Sequence, residues 1–373
     1  MPRAFAAAVL ALALTPLAAR ADAPRADPAS YVVEMVVAGL NRPWSVALLP
    51  DGRRLITESA GRLRVVSAAG EMRDVALDGL PSIYNGGQGG LMDVVPDPDF
   101  AANGWIYLTM SYGERGANGT RLVRATLAGE RLEDVRTLFS GTPKSGNSNN
   151  GGRLAFLPDG TLVLAIGDGF DRREDAQDPS NHLGKLVRLD RDGGVPADNP
   201  FAGRPGAAHE VFSLGHRNVQ GAAVDPADGA LLVSEHGPRG GDEINRIRPG
   251  ANYGWPLVTG GLDYTFARVT PFRELTGYEA PLLEWTPSIA PAGLAVYAGA
   301  LFPGWRGDLL VPALKEKAVR RVRRESGQIV GQELLLAERD ERMRDVKVAP
   351  DGSIYVLTDG PDAKLLRLVP PAR

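Results

Sequence analysis

The sequence contains no cysteine and only four histidines, His182, His209, His216 and His236. Without cysteine the chain has no disulfide, no thiolate nucleophile, no cysteine-ligated zinc site and no iron–sulfur cluster. The histidines are dispersed along the sequence, which argues against a histidine-rich metal site. The fold must therefore depend on packing and on any ions that it binds.

A strong positive charge and the familiar nucleotide-binding motifs are also lacking. The formal net charge is −3, so no basic field gathers nucleic acid or an anionic membrane surface. There is no Gly-x-Gly-x-x-Gly opening a helix, no P-loop and no Gly-x-Ser-x-Gly elbow. We therefore expect no nucleic-acid partner, no nicotinamide or nucleotide cofactor and no serine-hydrolase chemistry.

The N-terminus differs in composition from the rest of the chain. Arg3 precedes an alanine- and leucine-rich run from Ala4 to Leu17, and Ala19-Arg20-Ala21 follows as a small-x-small cleavage pattern. These features predict a signal peptide at residues 1–21, export to the periplasm and no stable membrane insertion. The alternative is an uncleaved anchor, for which the run is short and rich in alanine.

Glycine and proline are plentiful, with 45 and 29 residues, and they recur between short apolar runs. Aligning the chain with itself gives six copies of a strand, a tight turn and a second strand, beginning at Ser45, Leu91, Arg153, Gly221, Gly293 and Val346. This repeat predicts an all-β, six-bladed β-propeller over residues 22–373, whose inner strands ring a central channel. The alternative is a β-sandwich or solenoid with similar turns.

Polar residues stand close to several of these repeats. Gln88 lies in "NGGQGG", where a flexible turn is the alternative interpretation. The motif "SLGHRNVQG" and two cationic segments supply the other candidates, His216, Arg217, Asn218, Gln220, Lys315, Arg342 and Arg344. If these side chains converge at one mouth of the channel, they form a cage for a small, multiply anionic ligand, although a lone basic residue is usually solvated.

The segment from Ser234 to Pro256 is rich in glycine and proline, which leave backbone carbonyl groups free. Its acidic residues, and Asp263 just beyond it, add carboxylate oxygens. Calcium prefers several oxygen ligands, main-chain carbonyls included. A calcium site and a set of solvated turns are equally consistent with this composition.

These motifs resemble those of the soluble aldose sugar dehydrogenases that depend on pyrroloquinoline quinone (PQQ), the glucose/sorbosone dehydrogenase family of six-bladed propellers. The resemblance runs from about Leu40 to Arg367 and includes "GHRNVQG", "SEHGPRGGDEIN" with "NYGWP", and "RMRDV". It implies oxidation of an aldose at its anomeric carbon to a lactone, by hydride transfer to PQQ with calcium polarising the quinone. The aldose, the electron acceptor and the choice between monomer and homodimer stay open.

The resemblance also implies roles for individual residues. It implies quinone binding by Gln88, Arg217, Asn218, Gln220, Lys315, Arg342 and Arg344. It implies that the Gly237 and Pro238 carbonyl groups hold the calcium of the cofactor. A second, structural calcium would use the loop from Thr259 through Gly261 to Asp263, with Glu284.

The position of the family's general base is the main departure. The family has a histidine four residues before the Arg-Leu of "GGRL", and this chain has Asn149 there, with no histidine between Ser145 and Arg153. An amide orients a hydroxyl group but accepts no proton at useful pH, and losing a general base commonly costs about 10²- to 10⁴-fold in rate. Asp168, which matches the carboxylate that orients the missing histidine, is a candidate to act through a water.

His216 is a second candidate for the base, although its family counterpart does not have that role. Catalysis is thus assigned to Asn149, Asp168 and Arg217, with impaired base catalysis. The alternatives are a non-catalytic propeller that binds a sugar or the cofactor and, more distantly, a lactonase-like hydrolase that uses a bound calcium.

Overall fold

The computed structural model describes residues 23–372, so the predicted signal peptide lies outside the described residues. In this part of the chain, 24 strands form six antiparallel sheets of four strands each. Each sheet is one blade around a central channel. The prediction of an all-β, six-bladed β-propeller is confirmed. No helix in the described part is long and apolar enough to cross a membrane.

Each of the first three blades uses four consecutive strands, numbered from the channel outward. Blade 1 contains β2 (Pro43–Leu48), β3 (Arg54–Glu58), β4 (Arg62–Val66) and β5 (Met72–Asp74). Blade 2 contains β6 (Leu91–Pro96), β7 (Trp105–Glu114), β8 (Ala117–Ala128) and β9 (Arg131–Ser140). Blade 3 contains β10 (Gly151–Phe156), β11 (Leu162–Ile166), β12 (Lys185–Leu189) and β13 (Val211–Leu214).

The last three blades complete the ring. Blade 4 contains β14 (Val219–Val224), β15 (Leu231–Glu235), β16 (Asp242–Arg246) and β17 (Leu283–Trp285). Blade 5 contains β18 (Ala295–Val296), β19 (Leu309–Ala313), β20 (Ala318–Glu325) and β21 (Gln328–Leu335). Blade 6 contains β22 (Met343–Val348), β23 (Ile354–Thr358), β24 (Ala363–Val369) and the N-terminal β1 (Val32–Leu40).

Helical structure is limited to short turns between strands. They are α1 (Phe100–Asn103) and the 3₁₀ turns Pro28–Ser30, Arg173–Gln177, Pro303–Trp305 and Ala337–Arg339. The two ends of the propeller meet in blade 6, where β1 pairs antiparallel with β24 from Val32–Val369 to Leu40–Ala363. This pairing covers an edge strand that would otherwise be exposed, and it fastens the ring.

The six sequence repeats are the two innermost strands of the six blades. In blades 1, 3 and 6 a Pro-Asp-Gly turn joins these strands, and its glycine is left-handed, with φ of 85°, 82° and 88° at Gly52, Gly160 and Gly352. The preceding aspartate accepts a backbone N–H two residues further on, as Asp51 does at 3.0 Å. Glycine adopts this conformation without steric cost, which is why the same tripeptide recurs.

A single arginine on β10 joins the blades at the centre of the channel. Arg153 forms ion pairs of 3.3 Å with Asp93 of blade 2 and with Asp345 of blade 6. Its guanidinium also donates to the carbonyl oxygens of Gln220 in blade 4, at 2.8 Å, and of Ala292 just before blade 5, at 2.9 Å. Blades 2, 4 and 6 and the segment that enters blade 5 therefore meet at this one side chain of blade 3.

Blade 1 joins the same network through Ser45 and Trp44. Ser45 Oγ donates to Asp93 Oδ1 at 2.6 Å, and the Arg153 guanidinium carbon lies 4.3 Å from the centre of the Trp44 ring. The Arg153 side chain is 2% exposed. Burial would raise the pKa of Asp345, but Arg153 and backbone hydrogen bonds outweigh it and lower that pKa. These buried charges are stable because they are paired.

We expect Arg153→Met to lower the free energy of unfolding by about 3–5 kcal/mol, because Asp93 would stay buried without a counter-charge and Asp345 would keep only Lys347, at 3.4 Å. Urea unfolding followed by fluorescence measures this loss. Arg131→Ala is the control, since that side chain is 61% exposed, and it should change stability by less than about 0.5 kcal/mol. Equal effects of the two substitutions would contradict a central role for Arg153.

Candidate functional site

A cavity of about 380 Å³ opens at one end of the channel, beside the Arg153 network. Its lining includes Gln88, Asn150, Asn218, Gln220, Arg342 and Arg344. These residues stand just before an innermost strand or near its start. The starts of the innermost strands face the same end of the ring, so side chains distant in sequence meet there.

The predicted cationic residues do not all reach this cavity. Arg342 and Arg344 line it, whereas Arg217 lines an adjoining cleft and donates to the Gly237 carbonyl oxygen at 3.0 Å. Lys315 is exposed at the rim, next to Leu314, which is part of the lining. Two of the four predicted cationic residues, Arg342 and Arg344, therefore line the cavity, whereas Arg217 and Lys315 lie outside its lining.

His236 shows that the three arginines share one electrostatic environment. Its ring lines the cavity, and Nε2 lies 2.7 Å from the carbonyl oxygen of Pro291. Burial, together with the charges of Arg217, Arg344 and Arg342, lowers the pKa of His236 to about 3. A neutral imidazole surrounded by positive charge is expected where the protein has gathered cations for an anion.

Asp359 is the carboxylate that balances this charge. Its Oδ2 accepts Arg342 Nε at 2.8 Å and lies 3.4 Å from Arg344 Nη2. Burial raises its pKa, but the two arginines outweigh that effect and the pKa is lowered. One carboxylate shared by two guanidinium groups leaves positive charge over, so the cavity attracts an anion.

Asn149, the residue at the expected base position, is held by the residues around it. Its backbone is left-handed, with φ of 48°, and its N–H donates to Gln88 Oε1 at 2.9 Å. Its side-chain Nδ2 donates to Asp168 Oδ1 at 2.8 Å. Asn149 Oδ1 is therefore the side-chain atom left to accept a hydrogen bond.

Asp168 is completely buried and accepts three hydrogen bonds. Asn149 Nδ2 and the Phe170 N–H donate to Oδ1, and Trp255 Nε1 donates to Oδ2, each at 2.8 Å. Desolvation raises the pKa of Asp168 despite these donors and the charge of Arg217. The carboxylate thus serves first to orient its neighbours.

His216 is placed differently from a catalytic base. It is fully buried, its Nε2 lies 2.9 Å from Ser213 Oγ and its Nδ1 lies 2.9 Å from Glu235 Oε1. Its ring stacks on Tyr253 with 4.7 Å between centroids. Both ring nitrogens are engaged inside the blade, so the arrangement is that of a structural histidine.

The residues predicted to bind calcium separate into two groups. Gly237, Gly261 and Thr259 pack around Gly241, with Thr259 Oγ1 accepting the Gly261 N–H at 3.1 Å. Pro238 packs against Gly261 as well.

The other two predicted calcium ligands have different partners. Asp263 forms a 3.2 Å ion pair with Arg173, and Glu284 lies against Gly260. Among residues 23–372, no group of three or more His, Cys, Asp or Glu side chains is arranged to hold a metal ion.

The acidic residues of the glycine-rich segment mostly hold the loop itself. Asp242 accepts hydrogen bonds from the backbone of Gly237, Ile289 and Ala290. Glu243 differs, because burial and the nearby Glu235 carboxylate raise its pKa well above the usual value. It borders a small cavity of about 10 Å³, which Gly237 and Thr259 also line.

Four residues around the site were not predicted from the sequence to belong to it. Trp255 and Asp359 occur in recognisable motifs, "NYGWP" and "LTDG", but only their contacts show what they do. His236 was noted only as one of the dispersed histidines. Asn150 lines the cavity, and neither atom of its buried amide has a hydrogen-bond partner.

Comparison with known proteins places these features in a family. The family model described as Glucose / Sorbosone dehydrogenase matches residues 40–367. The aldose sugar dehydrogenase YliI of Escherichia coli is 41% identical over 364 residues, which cover 96% of this chain and 98% of that protein. Quinoprotein glucose dehydrogenase B of Acinetobacter calcoaceticus is 30% identical, over 94% of this chain and 91% of that protein.

Solved structures agree with this assignment. The soluble aldose sugar dehydrogenase of Escherichia coli in its apo-form superposes with a TM-score of 0.88 at 40% identity, covering 91% of this chain and 100% of that chain. The PQQ-bound form of the aldose sugar dehydrogenase of Streptomyces coelicolor superposes with a TM-score of 0.75 at 30% identity, covering 92% and 99%.

We expect Asn150→Ala to raise the free energy of unfolding of the ligand-free protein by about 1 kcal/mol, because a buried amide without a partner costs about 1–3 kcal/mol. Asn199→Ala is the matched control, since the Asn199 amide donates to the Arg188 carbonyl oxygen at 3.0 Å, and it should destabilise. Urea unfolding measures both. A loss of stability as large at Asn150 as at Asn199 would contradict the unpaired state.

Proposed function

The chain belongs to the glucose/sorbosone dehydrogenase family, and on that premise we propose that it oxidises aldose sugars at the anomeric carbon to lactones, using PQQ. The observation that supports this most directly is the cavity at the mouth of the channel. Arg342 and Arg344 line it with a single shared carboxylate, Asp359, between them. A carbohydrate ligand alone does not require such an excess of positive charge.

The residues around the cavity fit the proposed cofactor, which carries three carboxylates and an ortho-quinone. Arg342 and Arg344 supply guanidinium groups for carboxylates, and Arg344 Nε is buried without a hydrogen-bond partner. The side-chain amides of Gln88 and Asn218 add donors for the remaining oxygen atoms, whereas Gln220 Nε2 already donates to Asn218 Oδ1 at 3.3 Å. When bound, PQQ supplies the acceptor for the hydride that leaves carbon 1 of the sugar.

Calcium fits one place better than the others. Gly237, Thr259 and Glu243 border the same small cavity, and oxygen is the ligand type that calcium prefers. A cation there would offset the repulsion between Glu243 and Glu235. The Gly237 carbonyl oxygen also accepts a hydrogen bond from Arg217, so Arg217 would have to release it for calcium to bind.

Asn149 limits the rate at which a proton is removed from the anomeric hydroxyl group of the sugar. Its Nδ2 is used by Asp168, so Oδ1 is available to accept a hydrogen bond from the anomeric hydroxyl and to orient it. The amide takes no proton, and its N–H protons are not labile enough to relay one to Asp168. We therefore propose a dehydrogenase with weak proton removal, exported to the periplasm, where a diffusible or membrane-bound carrier reoxidises the cofactor.

Asparagine in place of a general base also favours one alternative function, a propeller that binds the sugar or the cofactor without turnover. The two readings share the cavity and the arginines. They differ in whether a bound sugar reduces the bound cofactor.

Reconstitution of the protein with PQQ and calcium distinguishes the dehydrogenase from the non-catalytic binding protein. We expect the mature protein to bind PQQ with calcium in a spectroscopic titration, and aldoses to reduce an artificial electron acceptor slowly. Arg344→Ala should weaken binding about 10- to 100-fold through the loss of a charged hydrogen bond, and Arg131→Ala should not. Cofactor binding without reduction by any aldose would establish the non-catalytic alternative, whereas failure to bind either PQQ or an aldose would exclude both.

We expect Asn149→His to raise turnover by about 10²-fold or more, because it restores a general base next to Asp168. Histidine tolerates the left-handed backbone better than most residues. The rate should rise with pH through about 6.5, since only the neutral imidazole accepts a proton. Asn149→Leu is the control, with no gain. A folded, cofactor-loaded His variant that is no faster would contradict a missing base.

A further inference from the structure

A separate cavity lies at the end of the channel opposite Arg342 and Arg344. It encloses about 420 Å³, and all six innermost strands contribute to its lining. The contributing residues stand at the ends of these strands, as Ala47 and Leu48 do in β2. No described residue lines both this cavity and the one at the strand starts. A ligand bound here is therefore distinct from the proposed cofactor.

One residue of each blade occupies the same place in this cavity. In blades 1, 2, 3, 4 and 6 it is the third residue before a proline of the turn that follows the innermost strand. Blade 5 has no proline there, and Ala295 stands at the matching position of its repeat. We call these six residues the lower ring: Ala47, Val95, Ala155, Ala223, Ala295 and Lys347. Alanine or valine at five positions leaves the space open, and Lys347 is the exception.

Lys347 is the one charged side chain among the described residues that line this cavity. It lies on the same side of β22 as Asp345, because side chains two apart on a strand point the same way. Its Nζ is 3.4 Å from Asp345 Oδ2, and the side chain is 29% exposed. The ammonium group donates no hydrogen bond to any other group in residues 23–372. Its hydrogens are therefore available to a ligand.

Asp345 has closer partners than Lys347. It forms the 3.3 Å ion pair with Arg153, and its Oδ2 accepts hydrogen bonds from the Val46 N–H at 3.0 Å and from Ser45 Oγ at 3.2 Å. The contact with Lys347 is the longest of the four. Lys347 can therefore donate to a second carboxylate without leaving Asp345 unpaired.

The rest of the lining is apolar. Leu48, Val95, Phe156 and Val348 are partly exposed within it. Walls of this kind raise the affinity of an aliphatic chain about fourfold for each methylene group removed from water. A sugar would leave hydroxyl groups unpaired against these walls, and an inorganic anion would leave the walls uncovered. One cation in an apolar cavity of this size matches a small molecule with an aliphatic body and a single anionic head.

We propose that this cavity is a binding site for an aliphatic carboxylate of medium chain length. The carboxylate group accepts hydrogen bonds from Lys347 Nζ, and the chain packs against the apolar members of the lower ring. The proposal is independent of the proposed function, because its residues line neither the cavity at the strand starts nor the cleft beside Arg217.

Calorimetric titration of the ligand-free protein with octanoate tests the site. We expect saturable binding, about 10- to 100-fold tighter than that of the uncharged 1-octanol, because octanoate adds a charged hydrogen bond. Hexanoate, which is two methylene groups shorter, should bind about 10-fold more weakly than octanoate. Protonated octylamine should bind more weakly than 1-octanol, because its cation would face Lys347.

NMR of isotope-labelled alanine methyl groups locates the ligand. Octanoate should shift the methyl signals of the lower ring, those of Ala47, Ala155, Ala223 and Ala295. Ala363 is the internal control, since it is buried in β24 outside this cavity, and its signal should not move.

Substitutions separate the head-group contact from the apolar walls. Lys347→Met should lower the affinity for octanoate to that for 1-octanol, whereas Lys347→Arg should retain most of the preference. Lys364→Met is the matched control, because Lys364 is 31% exposed and pairs with Glu341 at 2.8 Å but lies outside the cavity. It should leave the affinity unchanged. Ala223→Leu should prevent binding by filling the space.

Three results would overturn the proposal. They are equal affinities for octanoate and 1-octanol in the unsubstituted protein, methyl shifts confined to alanines outside the lower ring, and equal losses in Lys347→Met and Lys364→Met. If Lys347→Met does not fold, Ala223→Leu decides the question, and undiminished octanoate binding in that folded variant would sink the idea. None of these measurements requires PQQ or turnover of a sugar.

Discussion

The buried guanidinium of Arg153 is the interaction on which the geometry of this propeller depends. A ring of six blades has no single hydrophobic core, and each blade packs mainly on its two neighbours. Arg153 gives the ring a shared centre, with Asp93, Asp345 and the Gln220 carbonyl oxygen around it. Because the three charges are buried together, each depends on the others for its stability.

The cavity at the mouth of the channel takes its shape from this centre. Gln220 binds Arg153 through its carbonyl oxygen and lines the cavity at the same time. Asp345 on β22 fixes the strand that also carries Arg344, one residue earlier. The positions of the cavity walls therefore depend on a network centred on Arg153, which itself lies outside the lining. Only residues at the outer rim, such as Lys315, escape this constraint.

The positive charges around the cavity are not explained by packing alone. Arg342 and Arg344 share one carboxylate, and burial together with the charges of Arg217, Arg344 and Arg342 lowers the pKa of His236. Such an arrangement costs stability in the absence of a ligand and returns it when an anion binds. Asn149 differs from these charged residues. It is held by hydrogen bonds with Gln88 and Asp168, but its amide cannot accept the proton that a general base at this position would take.

Much of the fold was predictable because its determinants are local. The Pro-Asp-Gly turns and the apolar strands on either side repeat along the chain, so the blades could be counted and their inner strands located. The presence of Asn149, and of no histidine between Ser145 and Arg153, is likewise a property of the sequence alone. Arg342 and Arg344 could be assigned to one face because side chains two apart in a strand point the same way.

Other features were decided only by the tertiary structure. Arg153 and Asp93 are 60 residues apart, and nothing in either segment indicates that they pair. The engagement of both nitrogens of His216 and the place of Arg217 in the adjoining cleft depend on how loops from different strands are juxtaposed. Sequence determines which chemical groups are present, and the closing of the ring determines which of them meet.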